Sequence, residues 1–143
     1  MLVSQILKTK PPGVITVAPE ATVAEAAAVL SEKRIGAVIV SSDGRKALGI
    51  LSERDIVREL GRSGVACLSQ RVTELMTAKI VSCTGGDLNI DILRIMTDGR
   101  FRHMPVIENG EMLAIITLGD VVKTRLEELN AEKAALEGMI MGH

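Results

Sequence analysis

The stretch GILSERDIVREL, residues 49–60, closes a short aliphatic run on a hydroxyl, Ser52, and places a carboxylate, Asp55, three residues later. The chain does nearly the same in AIITLGDVVKTRL, residues 114–126, with Thr117 and Asp120. In each, strand-like residues give way to a charged, helix-like segment. A hydroxyl there suits an N-cap, and a carboxylate in the first turn is favoured by the helix dipole. Taken singly, each motif favours that capping role. Its recurrence where a strand gives way to a helix favours a second role, because open α/β arrangements bind ligands at such places. An ionised Asp accepts hydrogen bonds from the two adjacent hydroxyls of a ribose. A hydroxyl and the free N–H groups of a first helical turn suit phosphate oxygens.

Working outward, the two motifs belong to a repeat covering most of the chain. At an offset of 66 residues, VITVAPEATVAEAAAVLSEKRIGAVIV from Val14 lines up with IVSCTGGDLNIDILRIMTDGRFRHMPV from Ile80. Thr16 falls on Ser82, Leu30 on Met96, Arg34 on Arg100 and Ile35 on Phe101; after a loop one residue shorter, Ser52 falls on Thr117 and Asp55 on Asp120. Each copy reads as β-α-β-β-α. Val14–Val17 and Ile80–Cys83 are β-branched runs expected as strands. Thr22 with Glu25 has capping-box spacing, and Val23, Ala26, Ala27 and Leu30 form an apolar helical face. Asp87 is expected to cap the matching helix, with Ile92, Leu93, Ile95 and Met96 as its apolar face. Ala37–Val40 and Met104–Ile107 are strands leading into hairpins, whose Asp-Gly and Asn-Gly pairs supply positive φ. LVSQIL and VTELM are short helical lead-ins, and GRSGVACLSQR joins the copies. The domains expected are 1–63 for copy one, 64–71 for the linker, 72–126 for copy two and 127–143 for a helical extension.

A unit of this size buries too little surface to be secure alone. The fold class expected is α/β, of α+β character: two pseudo-symmetric repeats packed sheet to sheet, plus a long C-terminal helix. The core must be aliphatic, since hydrophobic residues make up 47% of 143 while Tyr and Trp are absent and Phe101 is the sole aromatic. That composition argues against base-stacking nucleic-acid binding. A net charge of −1 without a basic stripe argues against electrostatic capture of DNA or RNA. No apolar run approaches membrane-spanning length and the N-terminus lacks signal-peptide character, so no membrane partner is expected and a cytoplasmic protein is. Cys67 and Cys83 read as buried thiols, and His103 and His143 lie too far apart for a metal-site pattern.

The segments ITVAPEATVAEAAAVL, IGAVIV and GILSERDIV, then FRHMPVIENGEMLAIITLGDVV, together resemble a tandem pair of CBS domains, the family named for cystathionine β-synthase. The resemblance runs from about Val3 to Lys123, and is nearest in character to stand-alone CBS-pair proteins. It implies adenosine-containing ligands in two clefts between the copies. One would use Ser52 and Asp55, with neighbouring Arg54, and Ser82, Arg102, His103 and Met104. The other would use Thr117 and Asp120 with Thr16, Gly36, Ala37 and Val38. The copies differ in charge at matched positions: Arg102 and His103 stand where the first copy has Gly36 and Ala37. The Asp55 cleft is therefore expected to suit phosphates better, and the Asp120 cleft to be empty, weak or suited to a less charged ligand.

From Leu118 the helical pattern continues to Gly138, and Leu126, Leu129, Leu136 and Ile140 form a near-heptad stripe. One reading packs this helix on its own domain. The other, which the resemblance supports, sets it against a second subunit as a homodimer. No nucleophile–base pair, metal cluster or paired carboxylates stand out. The expected function is a non-catalytic sensor of adenine nucleotide, with no obligatory cofactor, that signals to an effector protein. The alternatives are a structural dimerisation module with vestigial sites, and a sensor of NAD or S-adenosylmethionine.

Overall fold

The computed structural model describes residues 1–140; His143 and the end of the C-terminal extension lie outside the described residues. Along the chain run α1 (Val3–Leu7), β1 (Thr16–Val17), α2 (Val23–Lys33), β2 (Ala37–Val40), β3 (Gly49–Ser52), α3 (Glu53–Ser63), a short 3-10 helix (Val65–Ser69), α4 (Val72–Leu75), α5 (Asn89–Gly99), β4 (His103–Glu108), β5 (Glu111–Thr117) and α6 (Leu118–Ile140). The mixed α/β class with a long last helix is as expected. The chain divides into two compact units. The Asp55 unit holds Gly13–Val81 and Ile107–Leu113; the Asp120 unit holds Met1–Pro12, Ser82–Val106 and the chain from Ala114 on.

In the Asp55 unit, β2 is central, parallel to β1 (Val17 opposite Val40) and antiparallel to β3 (Ala37 opposite Ser52). All four β2 residues are buried, as a strand covered on both faces requires, whereas β3 alternates with Gly49 and Leu51 inward. The core is Val17, Val23, Ala26, Leu30, Val38, Val40, Leu51, Ile56 and Val72. Thr22 caps α2 through its hydroxyl to the Glu25 N–H (3.2 Å), while Glu25 accepts the Thr22 N–H (3.3 Å), so the capping box forms. Residues 64–71, expected as a linker, carry the 3-10 helix, and its Cys67 is buried.

In the Asp120 unit, the core is Val3, Ile6, Cys83, Ile92, Met96, Met104, Val106, Ile116 and Val121, with Phe101 against it. The repeat is visible in backbone detail. Both α2 and α5 end on an arginine in the left-handed region, Arg34 (φ 55°) and Arg100 (φ 57°). The Val17–Val40 pair of β1 and β2 has its counterpart in a parallel bridge, Cys83 to Val106. That bridge is all that remains of the strand expected over Ile80–Cys83. In the first copy the Ile39 N–H donates to the Ile15 carbonyl (3.2 Å); its counterpart Pro105 has no N–H to give, and the bridge is held by the Cys83 N–H on the Pro105 carbonyl (3.0 Å).

Two local expectations are corrected. Asp87 does not cap α5: its carboxylate accepts the Thr84 N–H (2.8 Å) in a turn, and Leu88 takes the N-cap position without a side-chain bond. Ile95 is exposed. At about 100° per residue, Asn89, Ile92, Leu93 and Met96 share a face that leaves Ile95 beyond its edge. The hairpins also differ. Asn109 (φ 53°) and Gly110 (φ 78°) are both left-handed, which suits a type I′ turn. In the other loop only Gly44 has positive φ, and Asp43 folds back to accept the Arg45 and Lys46 N–H groups (2.8 and 2.9 Å). Those bonds, from Lys46 foremost, hold its carboxyl below the usual carboxylate range.

Each lead-in helix joins the unit of the other copy. In α1, Val3 and Ile6 are buried among second-copy residues, and Leu2 bridges to Leu88. In α4, Val72 is buried among first-copy residues, and Arg71 bridges to Thr22. The start of α6 packs on α5 through buried Val121 and Thr124. There, buried Asn89 donates to Thr124 Oγ1 (3.0 Å) and Glu128 Oε1 (2.5 Å). Further on the helix is uncovered: Leu126 is 55% exposed and Leu136 58%. The helix therefore packs on its own domain at its start, and the stripe from Leu126 on is left uncovered.

Candidate functional site

Both hydroxyl–carboxylate motifs lie at the junction of a strand and a helix, β3 to α3 and β5 to α6. At the first, the Asp55 N–H donates to Ser52 Oγ (3.3 Å). Asp55 Oδ2 in turn accepts the Ser52 N–H (2.9 Å) and hydroxyl (3.0 Å). At the second, the Asp120 N–H donates to Thr117 Oγ1 (3.1 Å), and Asp120 Oδ2 accepts the Thr117 N–H (2.9 Å). The capping role is thus met twice. It also orients each carboxylate, since one oxygen is held by the cap and the other, Oδ1, is left turned away from it. At Asp55 the remaining oxygen meets only Arg58 among the described residues, at 3.4 Å, and that arginine is well exposed.

The backbone around the two junctions matches as well. The first helical N–H of α3, from Glu53, donates to the Gly36 carbonyl (2.8 Å), and that of α6, from Leu118, donates to the Arg102 carbonyl (2.8 Å). Gly36 and Arg102 are equivalent in the repeat, so the cap is built from the same two chain segments both times.

Within the Asp55 unit the structure gathers Ser52, Asp55, Gly36 and Ala37 at one strand end, with Ala37 opposite Ser52. Thr16 and Val38 lie further along the same sheet. Within the Asp120 unit it brings Arg102, Thr117 and Asp120 together, beside His103 and Met104 at the start of β4. Ser82 is exposed, next to Cys83 in its bridge. Ala37, Val38 and Met104 have buried side chains, so only their backbones are available to a ligand. Arg54 and Arg102 are exposed; His103 is partly buried and has an interaction partner.

The charge at the two carboxylates is unequal in a way the sequence reading missed. Asp120 carries a lysine on its cap oxygen: Lys10 Nζ lies 2.5 Å from Oδ2. Burial alone would raise the pKa of this carboxyl, but the hydrogen bonds from Lys10 and Thr117 outweigh it and hold Asp120 below the usual carboxylate range. The signal for Lys10 was present only as a lysine before Pro11–Pro12, which carries no specificity.

Neither cysteine offers a nucleophile. Both are free and buried, and burial, with the Asp87 charge adding to it, pushes the Cys83 thiol up to about 12. A thiol so raised holds almost no thiolate at neutral pH. Among the described residues, no group of three or more His, Cys, Asp or Glu could hold a metal, and no helix is long and apolar enough to cross a membrane.

The CBS domain family model matches residues 3–62 and again 72–127. The chain is 33% identical over 125 residues to the CBS domain-containing protein CBSX3, mitochondrial, of Arabidopsis thaliana, covering 85% of this chain; it spans only about three-fifths of that relative's length (61%). Among solved structures it resembles a CBS-domain containing protein from Agrobacterium tumefaciens, with 42% identity, a TM-score of 0.84 and coverage of 87% of this chain and 99% of the other. It also resembles CBSX2 in complex with AMP, with 25% identity, a TM-score of 0.72 and coverage of 88% and 96%.

Proposed function

Because the chain belongs to the CBS domain family, with two copies of the domain in tandem, we propose that it is a non-catalytic regulatory module that binds an adenosine-containing nucleotide of the AMP, ADP and ATP class and signals to a partner protein. The observation that carries this reading is the twofold strand-end cap, in which a backbone N–H, joined at Asp55 by the Ser52 hydroxyl, holds one carboxylate oxygen and leaves the other for a ligand. A ribose diol needs such an acceptor, and the AMP bound by the related CBSX2 supplies one. The family pattern adds Ser82, Arg102, His103 and Met104 to the ligand of Asp55. It adds Thr16, Gly36, Ala37 and Val38 to that of Asp120. Ala37, Val38 and Met104 would contribute backbone groups alone.

A thermal-shift panel of adenosine, AMP, ADP, ATP, NAD and S-adenosylmethionine tests the reading. A ligand at 100 times its Kd stabilises by about 2.7 kcal/mol, a shift of several degrees for a domain this size. A flat response to the whole panel would remove the nucleotide reading.

The assembly proposed is a homodimer through α6. Its 23 residues extend about 35 Å, and the Leu126, Leu129, Leu136 and Ile140 stripe is exposed along it. Truncation after Glu128 removes most of the stripe and keeps the Asn89 contacts. Light scattering is expected to show the mass per particle falling by half; an unchanged mass would move the interface elsewhere.

A further inference from the structure

The ion pair between Lys10 and Asp120 is specific to one of the two caps. Lys10 Nζ donates to Asp120 Oδ2 (2.5 Å) and to the Ile115 carbonyl of β5 (2.7 Å). With the Thr117 N–H on the same oxygen, the two lone pairs of Oδ2 are both used. The side chains are 23% and 25% exposed, so the pair is screened less than one on open surface.

The chain presents this lysine firmly. After α1, the Thr9 and Lys10 N–H groups donate to Ile6 and Leu7 carbonyls (3.0 and 3.3 Å), and the Thr9 hydroxyl donates to Ile6 as well (2.7 Å). Pro11 and Pro12 follow and restrict the backbone on the other side. The backbone that carries the ammonium is thus already fixed, and only side-chain freedom is lost when it settles on the carboxylate.

The second lead-in shows what is absent at Asp55. Leu2–Lys10 and Arg71–Lys79 correspond residue for residue, and both start alike: the Leu2 N–H donates to Gln5 Oε1 (2.8 Å), the Arg71 N–H to Glu74 Oε2 (2.9 Å). Lys79 is the counterpart of Lys10, yet it is exposed and makes no ion pair among the described residues. The carbonyl of Ile50, counterpart of Ile115, is taken by the Thr77 N–H (2.9 Å) instead. The lysine's place on the strand is filled by backbone, so among the described residues no lysine reaches Asp55, whose ion-pair partner is the exposed Arg58 at 3.4 Å.

We propose that Lys10 is a tethered counter-ion that partly closes the Asp120 site: from the cap oxygen, Oδ2, it balances the charge of the carboxylate and makes Oδ1 a poorer acceptor for a ribose, so the chain binds one nucleotide at Asp55 and a second only weakly. This rests on the reading of the caps as nucleotide sites. A diol reaching Asp120 Oδ1 must bind a carboxylate whose charge is already balanced by an ammonium at 2.5 Å, whereas the arginine at Asp55 is 3.4 Å away and exposed. This weakens the second site relative to the first.

Calorimetry of the full chain with AMP and with adenosine tests this. The wild type is expected to bind one equivalent in the main transition. Lys10→Gln is one atom shorter but keeps a donor near Ile115 and loses the charge, and is expected to tighten second-site binding by about tenfold or more, so that two equivalents register. Lys10→Met, which has no donor, should do the same, and adding Asp120→Asn to either should remove the gained site alone. Two equal sites in the wild type, or second-site binding that is unchanged or weaker in both Lys10 variants, would overturn the proposal. Binding at Asp55 without any gain from neutralising Lys10 removes this proposal and leaves the nucleotide reading standing. No heat from the wild type or either variant removes both.

Discussion

Asp55→Ala is expected to weaken adenine-nucleotide binding by about ten- to a hundredfold. A hydrogen bond to a charged acceptor contributes about 1.5–3 kcal/mol, and Asp55 is the carboxylate whose outward oxygen has only a distant, exposed arginine as a competitor. The fold should survive. The cap keeps one of its bonds, because residue 55 still donates its N–H to Ser52 Oγ, and losing the others costs about 1 kcal/mol. Asp55→Asn separates the two roles. Its amide oxygen can still accept the Ser52 N–H, but the charge offered to the ribose is gone. Isothermal calorimetry showing native affinity for both variants would return Asp55 to capping alone. Native-like affinity for the Asn variant only would mean that the charge is not what the ligand uses.

Ile6→Ala is expected to destabilise the Asp120 unit by about 2–5 kcal/mol, the range for truncating a buried aliphatic side chain to Ala. Ile6 is 1% exposed and sits in a cluster with Cys83, Ile92, Met96 and Met104, all from the second copy. The location of the damage is the informative part. Hydrogen exchange should accelerate in α5 and at the start of α6 before it does in β2 and β3. Acceleration centred on β2 and β3 would show that α1 belongs with its own copy. The same loss should disturb Lys10, three residues beyond the end of α1, so Ile6→Ala should also raise second-site nucleotide binding if Lys10 closes that site.

The elements that sequence reading placed correctly are those defined over a few residues. The Thr22–Glu25 box, the hydroxyl–carboxylate pairs at Ser52 and Thr117 and the Asn109–Gly110 turn each depend on hydrogen bonds or φ preferences spanning two to four positions. An offset of 66 residues matched the left-handed ends of α2 and α5, Arg34 and Arg100, and one of 65 the two hydroxyl–carboxylate pairs, while the Thr22–Glu25 box and the type I′ turn each belong to one copy. Where the offset was set aside, the reading failed. It places Leu88, not Asp87, at the cap of α5, because Thr22 plus 66 is residue 88.

By itself, then, the sequence determined an aliphatic two-copy fold, its helix starts, and two candidate carboxylates at strand ends. Tertiary structure decided which unit each lead-in joins, since LVSQIL and VTELM are both short amphipathic turns that fit either core. It reduced Ile80–Cys83 to one bridge, because Pro105 lacks the N–H with which Ile39 holds the first strand of the other copy. It uncovered the leucines of α6, whose heptad spacing is the same whether a domain or a second subunit faces them. It also distinguished the two carboxylates. Lys10 and Asp120 are 110 residues apart, and no local pattern records a contact that exists only after α1 has packed against the second copy.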